Sequence, residues 1–102
     1  MGKGRTMIRH TICFKLKDSS EASKNEAKEM LLSMKGKVPQ ICDIDVYCDF
    51  LCSPRSYDVI LNVYLADEKA LDDYQIDEYH HGVVKAYFAE KAASTIAVDV
   101  YV

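Results

Sequence analysis

Hydrophobic and polar residues alternate along four stretches of the chain and recur at three- and four-residue steps between them. From Met7 to Leu16, Ile8, His10, Ile12, Phe14 and Leu16 fall on one face, and Arg9, Thr11, Cys13 and Lys15 on the other. A period of two, rich in β-branched residues, predicts a strand. Lys17-Asp18-Ser19-Ser20 supplies capping side chains, with Asp18 three residues before Glu21 as in a capping box. Ala27, Met30, Leu31, Met34 and Val38 make the apolar stripe of one helix, which Gly36 ends and Pro39 keeps from resuming. Alternation returns over Ile41–Cys52, where Cys42, Ile44, Val46, Cys48, Phe50 and Cys52 oppose Asp43, Asp45, Tyr47 and Asp49. Ser53-Pro54-Arg55-Ser56 reads as a turn. A third strand over Tyr57–Leu65 carries Tyr57, Val59, Leu61, Val63 and Leu65 on one face. A helix then opens on Ala66-Asp67-Glu68, with acids where the helix dipole favours them, and runs to about Tyr74. After a break at Ile76-Asp77, a second helical piece from about Glu78 to Lys91 presents Val83, Val84, Tyr87 and Phe88. Ser94–Val102 is the last strand, with Ile96, Val98, Val100 and Val102 together on one face.

The order β-α-β-β-α-β predicts an α+β, ferredoxin-like fold, an antiparallel four-stranded sheet with both helices on one face. The other face should then carry Met7, Thr11, Cys13, Tyr47, Ile60, Tyr64, Ala97 and Tyr101, mixed with Arg9, Lys15, Asp43, Asp45, Asp49, Asp58 and Asp99. Such a face is too aromatic for water and too charged for a dry core. A second copy of the same face resolves the conflict, because a twofold interface is self-complementary, so a homodimer is expected.

Composition narrows the class. One hundred and two residues make one domain, with 49% hydrophobic and 28% charged residues, a globular balance. A formal charge of −3 argues against a nucleic-acid module, which would show a clustered basic excess. No apolar run approaches the roughly 18–20 residues that cross a bilayer, so no membrane span is expected. Residues 1–6 read as a loose N-terminal tail, with Met7 a candidate natural start after a cloning remnant, and 7–102 as the domain. Basic residues in the MGKGRTM start have no apolar stretch behind them, so this is not a secretory signal. Cys13, Cys42, Cys48 and Cys52 include no CxxC pair. In a strand Cys48 and Cys52 would stand about 13 Å apart, too far for a disulfide. They are expected to be buried, reduced thiols, which points to the cytoplasm.

Three histidines are the main candidates for chemistry. His10 lies among Ile8, Ile12 and Phe14 on the helix-facing side of the first strand, either as a satisfied core histidine or as a ligand contact. His80 and His81 are adjacent on a helix, so they point about 100° apart. Counting back four from Val84 puts His80 on the buried stripe and His81 in solvent. Tyr74, six residues before His80, could converge with it as an acid–base pair, the phenol donating to a carbonyl while the imidazole takes a proton. Asp77 and Glu78 read as a solvated helix start. The histidine spacing lacks a metal-ligand pattern, and the four glycines form no phosphate loop, so neither metal nor cofactor is expected.

MIRHTICFKLK at the start, SYDVILNVYLADEKALDDYQ in the middle and the closing IAVDVYV resemble the stress-responsive dimeric α/β-barrel (Dabb) family. The ordered motifs are His10 in the first strand, Tyr74 ending the first piece of the second helix, His80 six residues later and Asp99 in the last strand. The resemblance spans Met7 to Val102 and implies a homodimer whose two sheets face each other as a barrel. A plant member closes a linear polyketide by an aldol reaction, and its histidine and tyrosine match His80 and Tyr74, with His10 matching another pocket histidine. This chain departs from it: Asp77-Glu78 stands where the family often has His-Pro, and Val59 where the cyclase has a further histidine. Polyketide cyclisation therefore does not transfer. Three readings follow. The first is a protein binding a small apolar or aromatic molecule through His10, Tyr74 and His80. The second is a cofactor-independent cyclase-, isomerase- or monooxygenase-like enzyme, with His80 as base and Tyr74 holding an oxyanion. The third is a structural stress protein without a ligand.

Overall fold

The computed structural model describes residues 7–102; the expected tail over 1–6 lies outside the described residues. The chain runs β1 (Ile8–Leu16), α1 (Glu21–Leu32), β2 (Ile41–Cys48), β3 (Val59–Leu65), α2 (Glu68–Gln75), a π-helical segment (His80–Lys85), α3 (Ala86–Lys91) and β4 (Ala92–Tyr101). The strands form one sheet in the order β2-β3-β1-β4, every neighbour antiparallel. This is the ferredoxin-like α+β arrangement that the alternation predicts.

The core lies between the sheet and the helices. Ile8, Phe14 and Leu16 from β1, Val59, Leu61, Val63 and Leu65 from β3, and Ile44 and Val46 from β2 meet Ala27 and Leu31 of α1, Met34 in the turn after it, and Tyr74, Val84 and Phe88 of the later helical segments. Ser20, rather than Asp18, caps α1: its side chain accepts from the Ser23 N–H, while Asp18 accepts from Ser20 N–H. After α1 the chain continues in short turns to Gly36, whose φ of +81° lies in the left-handed region that glycine adopts without a Cβ clash.

Three departures from the alternation have local causes. Strand β2 ends at Cys48, and a bulge between Ile41 and Asp43 returns Ile41 to the core face. Cys42 and Cys52 are exposed as a result, and Cys13 and Cys48 half-buried, so the four free thiols are not the buried set expected. Asp58, expected on the open face, is buried with its carboxylate accepting from the Leu16 N–H at 2.7 Å. It serves a backbone donor at the end of β1 and so costs less inside than an unpaired carboxylate.

The largest departure is in β4. Its register sets Ile12 opposite Ala97 and His10 opposite Asp99. Opposed residues in a ladder share a face, so Ala97, Asp99 and Tyr101 point to the helix side and Ile96, Val98 and Val100 to the open side, the reverse of the expectation. Among the described residues no helix packs closely on this edge strand, and Ile96 and Val98 are about half exposed in the single chain. The apolar side of β4 therefore follows the open face of the sheet, where it joins Met7 and Tyr47 among the exposed hydrophobic side chains. Among the described residues no helix is long and apolar enough to cross a membrane.

Candidate functional site

Between β1, β4 and the last helical segments lies a cleft of about 560 Å³, walled by Ile12, Phe14, Leu61, Val84 and Phe88. Its polar edge includes His10, Tyr74, His80, Lys85, Thr95 and Asp99. The three residues singled out from sequence thus come together, Tyr74 lying between the two imidazoles. Its ring stacks on His80 at 4.1 Å between centroids and meets His10 edge-on at 5.7 Å.

The local sequence explains how His80 enters. Asp77 closes the break after α2, its Oδ1 accepting from the N–H groups of Tyr79 and His80 at 2.9 and 3.1 Å. It is a helix cap rather than only a solvated acid. The following residues wind as a π-helical turn over His80–Lys85, with His80 and Val84 buried and His81 exposed. The wider turn also brings Lys85, which sequence reasoning missed, to the rim of the cleft.

The hydrogen bonds define which atoms remain for a ligand. His80 Nδ1 lies 3.0 Å from the Tyr74 backbone oxygen. A carbonyl only accepts, so Nδ1 carries the proton and Nε2 of the neutral ring is a bare acceptor. The Tyr74 hydroxyl donates instead to Met34 Sδ at 3.8 Å. Tyr74 and His80 therefore stack without joining hydroxyl to imidazole, unlike the acid–base pair expected from their spacing. His10 Nδ1 contacts Asp99 Oδ1 at 2.5 Å. Asp99 is the residue that periodicity put on the wrong face and that only the family motif marked.

Burial is the main reason the His80 imidazole falls to about 4, with the Lys85 charge acting in the same direction against the Tyr74 carbonyl bond. His80 is thus neutral near physiological pH. Burial, reinforced by the Asp77 charge, pushes the Tyr74 phenol well above its ordinary range, so it stays protonated. Among the described residues no group of three or more His, Cys, Asp or Glu side chains is placed to hold a metal ion.

A ferredoxin-like sheet with a histidine-edged cleft under its last helix defines a small α+β domain class. The model of the Stress responsive A/B Barrel Domain (Dabb) family matches residues 8–102, and the chain belongs to that family. Solved structures show the same fold. A dimeric ferredoxin-like protein of unknown function from Thermobifida fusca is 22% identical, with a TM-score of 0.78 over 95% of this chain and 92% of its own. A Dabb family protein from Mesorhizobium loti is 21% identical, with a TM-score of 0.74 over 95% and 97%. Hydroxynitrile lyase from Passiflora edulis is 9% identical, with a TM-score of 0.78 over 97% and 95%. No curated protein is similar enough to match the chain.

A pH dependence follows from His80. Its folded-state value lies below the ordinary one of 6.5, so between about 6.5 and about 4 the unfolded chain binds the extra proton. Stability is therefore present in full above that window and is lost as pH falls through it. Urea midpoints measured across the window should drop toward acid. The drop should be smaller in His80→Gln, whose amide stays neutral; an equal drop would remove His80 as its source.

Proposed function

We propose that the chain forms a homodimer through the open sheet face and that each protomer binds a small aromatic molecule bearing a hydroxyl group in the cleft. The observation that carries this reading is the pairing of apolar walls, Phe14 and Phe88 stacked at 4.2 Å, with a bare imidazole nitrogen on His80. Apolar walls supply affinity and a few placed polar atoms supply orientation. A neutral His80 accepts a hydrogen bond from the ligand hydroxyl, and Tyr74 positions both imidazoles. The half-exposed Ile96 and Val98 support a second copy on the open face, as does the dimeric description of the Thermobifida fusca relative. Four free cysteines fit a reducing compartment, consistent with the cytoplasm.

A second reading has its own observation. His10 donating to Asp99 is an imidazole oriented by a carboxylate, the arrangement that prepares the opposite ring nitrogen as a general base. A cofactor-independent catalyst acting on a hydroxylated or carbonyl compound would use His10 in that role. The Passiflora edulis lyase illustrates that this fold can carry catalysis.

Two probes test the first reading. 2-Naphthol and 2-methoxynaphthalene fill similar space, but only the first donates a hydrogen bond. Fluorescence titration should give 2-naphthol roughly two- to tenfold tighter binding, the worth of one net hydrogen bond. His80→Ala should bring the two together. Equal affinities in the unaltered protein, or no binding of either, would contradict the assignment.

The dimer has a separate test in sedimentation equilibrium. The unaltered chain should sediment as a dimer, and Val98→Lys, which places a charge in the apolar side of β4, should sediment as a monomer. A monomeric parent, or a Val98→Lys dimer of unchanged strength, would exclude this face as the interface.

A further inference from the structure

Lys24 sits in the first half of α1 with no solvent-exposed surface, although a lysine is seldom fully buried. Its ammonium has three protons and three acceptors. The Asp49 carbonyl lies at 2.8 Å, the Glu21 carboxylate at 3.0 Å and the Cys52 sulfur at 3.6 Å. The hydrogen bond that it donates to the Glu21 carboxylate holds Lys24 above its ordinary value, so the resting group is charged.

The sulfur is brought there by a constrained turn. Cys52 has a φ of 54°, a left-handed conformation that costs an L residue energy. The Asp49 carboxylate accepts from the Cys52 N–H at 2.7 Å and holds the turn. Cys52 is exposed, so a small reagent reaches it from solvent, while the amine approaches it from inside. Cys42 is also exposed, but no hydrogen bond joins its thiol to a cationic side chain among the described residues, which makes it an internal control. Cys48, the other thiol nearby, donates to the Lys24 backbone carbonyl at 3.6 Å and is the competing partner for an oxidised Cys52.

We infer that Cys52 and Lys24 form an oxidative modification site, in which hydrogen peroxide couples the exposed thiol to the buried amine through a sulfur–nitrogen bond. In the first step Cys52 Sγ attacks one peroxide oxygen. The S–O bond forms, the O–O bond breaks, and the thiol proton leaves with the departing oxygen as water. Sulfur is oxidised to the sulfenic acid and the peroxide is reduced. In the second step Lys24 passes one proton to the Glu21 carboxylate and its nitrogen attacks the sulfur. The N–S bond forms, the S–O bond breaks, and the departing hydroxide takes a second proton from nitrogen as water. The product is two hydrogens lighter than the starting chain, and it ties the loop after β2 to α1.

Hydrogen peroxide added to the reduced full-length chain, followed by peptide mass mapping, tests this. The expected product joins the Lys24 and Cys52 peptides, lacks two hydrogens, reverts with dithiothreitol, and persists in Cys48→Ala. It should be absent from Cys52→Ser and from Lys24→Arg. Should Lys24→Arg fail to fold, Cys52→Ser at its exposed position serves as the control. A Cys48–Cys52 disulfide has the same mass change but a different map, and finding it in place of the Lys24 link would overturn the inference. So would Cys52 accumulating only as free sulfenic or higher acids, or remaining unoxidised while Cys42 reacts.

Discussion

Strand β1 hydrogen-bonds to neighbours on both of its edges, and its alternation decides which side chains of the sheet meet the helices. His10 occupies one of its inward positions. The register with β4 then puts Asp99 directly opposite, and the register with β3 puts Val63 there. A slip of one residue against β4 would turn Asp99 outward and bring apolar residues inward, leaving the His10 donor without its carboxylate. The cleft thus depends on strand pairing before it depends on any single side chain. The same pairing turns Ile96 and Val98 to the open face, so the cleft and the proposed dimer surface share one register.

The other half of the cleft comes from a helix that does not wind regularly. Asp77 caps its start, and the π-helical turn over His80–Lys85 leaves His80 inside and His81 outside. Burial makes the neutral imidazole the favoured form, and the carbonyl of Tyr74 selects which nitrogen carries its proton. The two histidines therefore differ in kind: His10 is oriented by a carboxylate, whereas His80 is held by a backbone oxygen. Tyr74, buried and protonated, separates the rings and fixes their angles.

Much of this was legible in the sequence. Alternating runs located all four strands, and the counting from Val84 put His80 inside and His81 outside. Periodicity failed where a strand lacks a helix over it. β4 carries its larger apolar side chains away from the helices, so the rule that apolar faces turn toward helices inverted Asp99. The bulge at Ile41–Asp43 likewise moved Cys42 out, because Cys42 is the extra residue, left without a partner on β3. Asp58 and Lys24 were hidden for a different reason. Their burial is licensed by hydrogen-bond partners distant in sequence, Leu16 for the one and Asp49 and Cys52 for the other, and no periodic pattern carries such pairings.

In the proposed binding mode His80 presents an unprotonated Nε2 to the cleft. Imidazole nitrogen NMR on the labelled chain near neutral pH measures this directly. A neutral His80 ring protonated on Nδ1 is expected, with Nε2 at the shift of a bare acceptor and moving when 2-naphthol is added. A ring protonated on Nε2, or on both nitrogens, would contradict it.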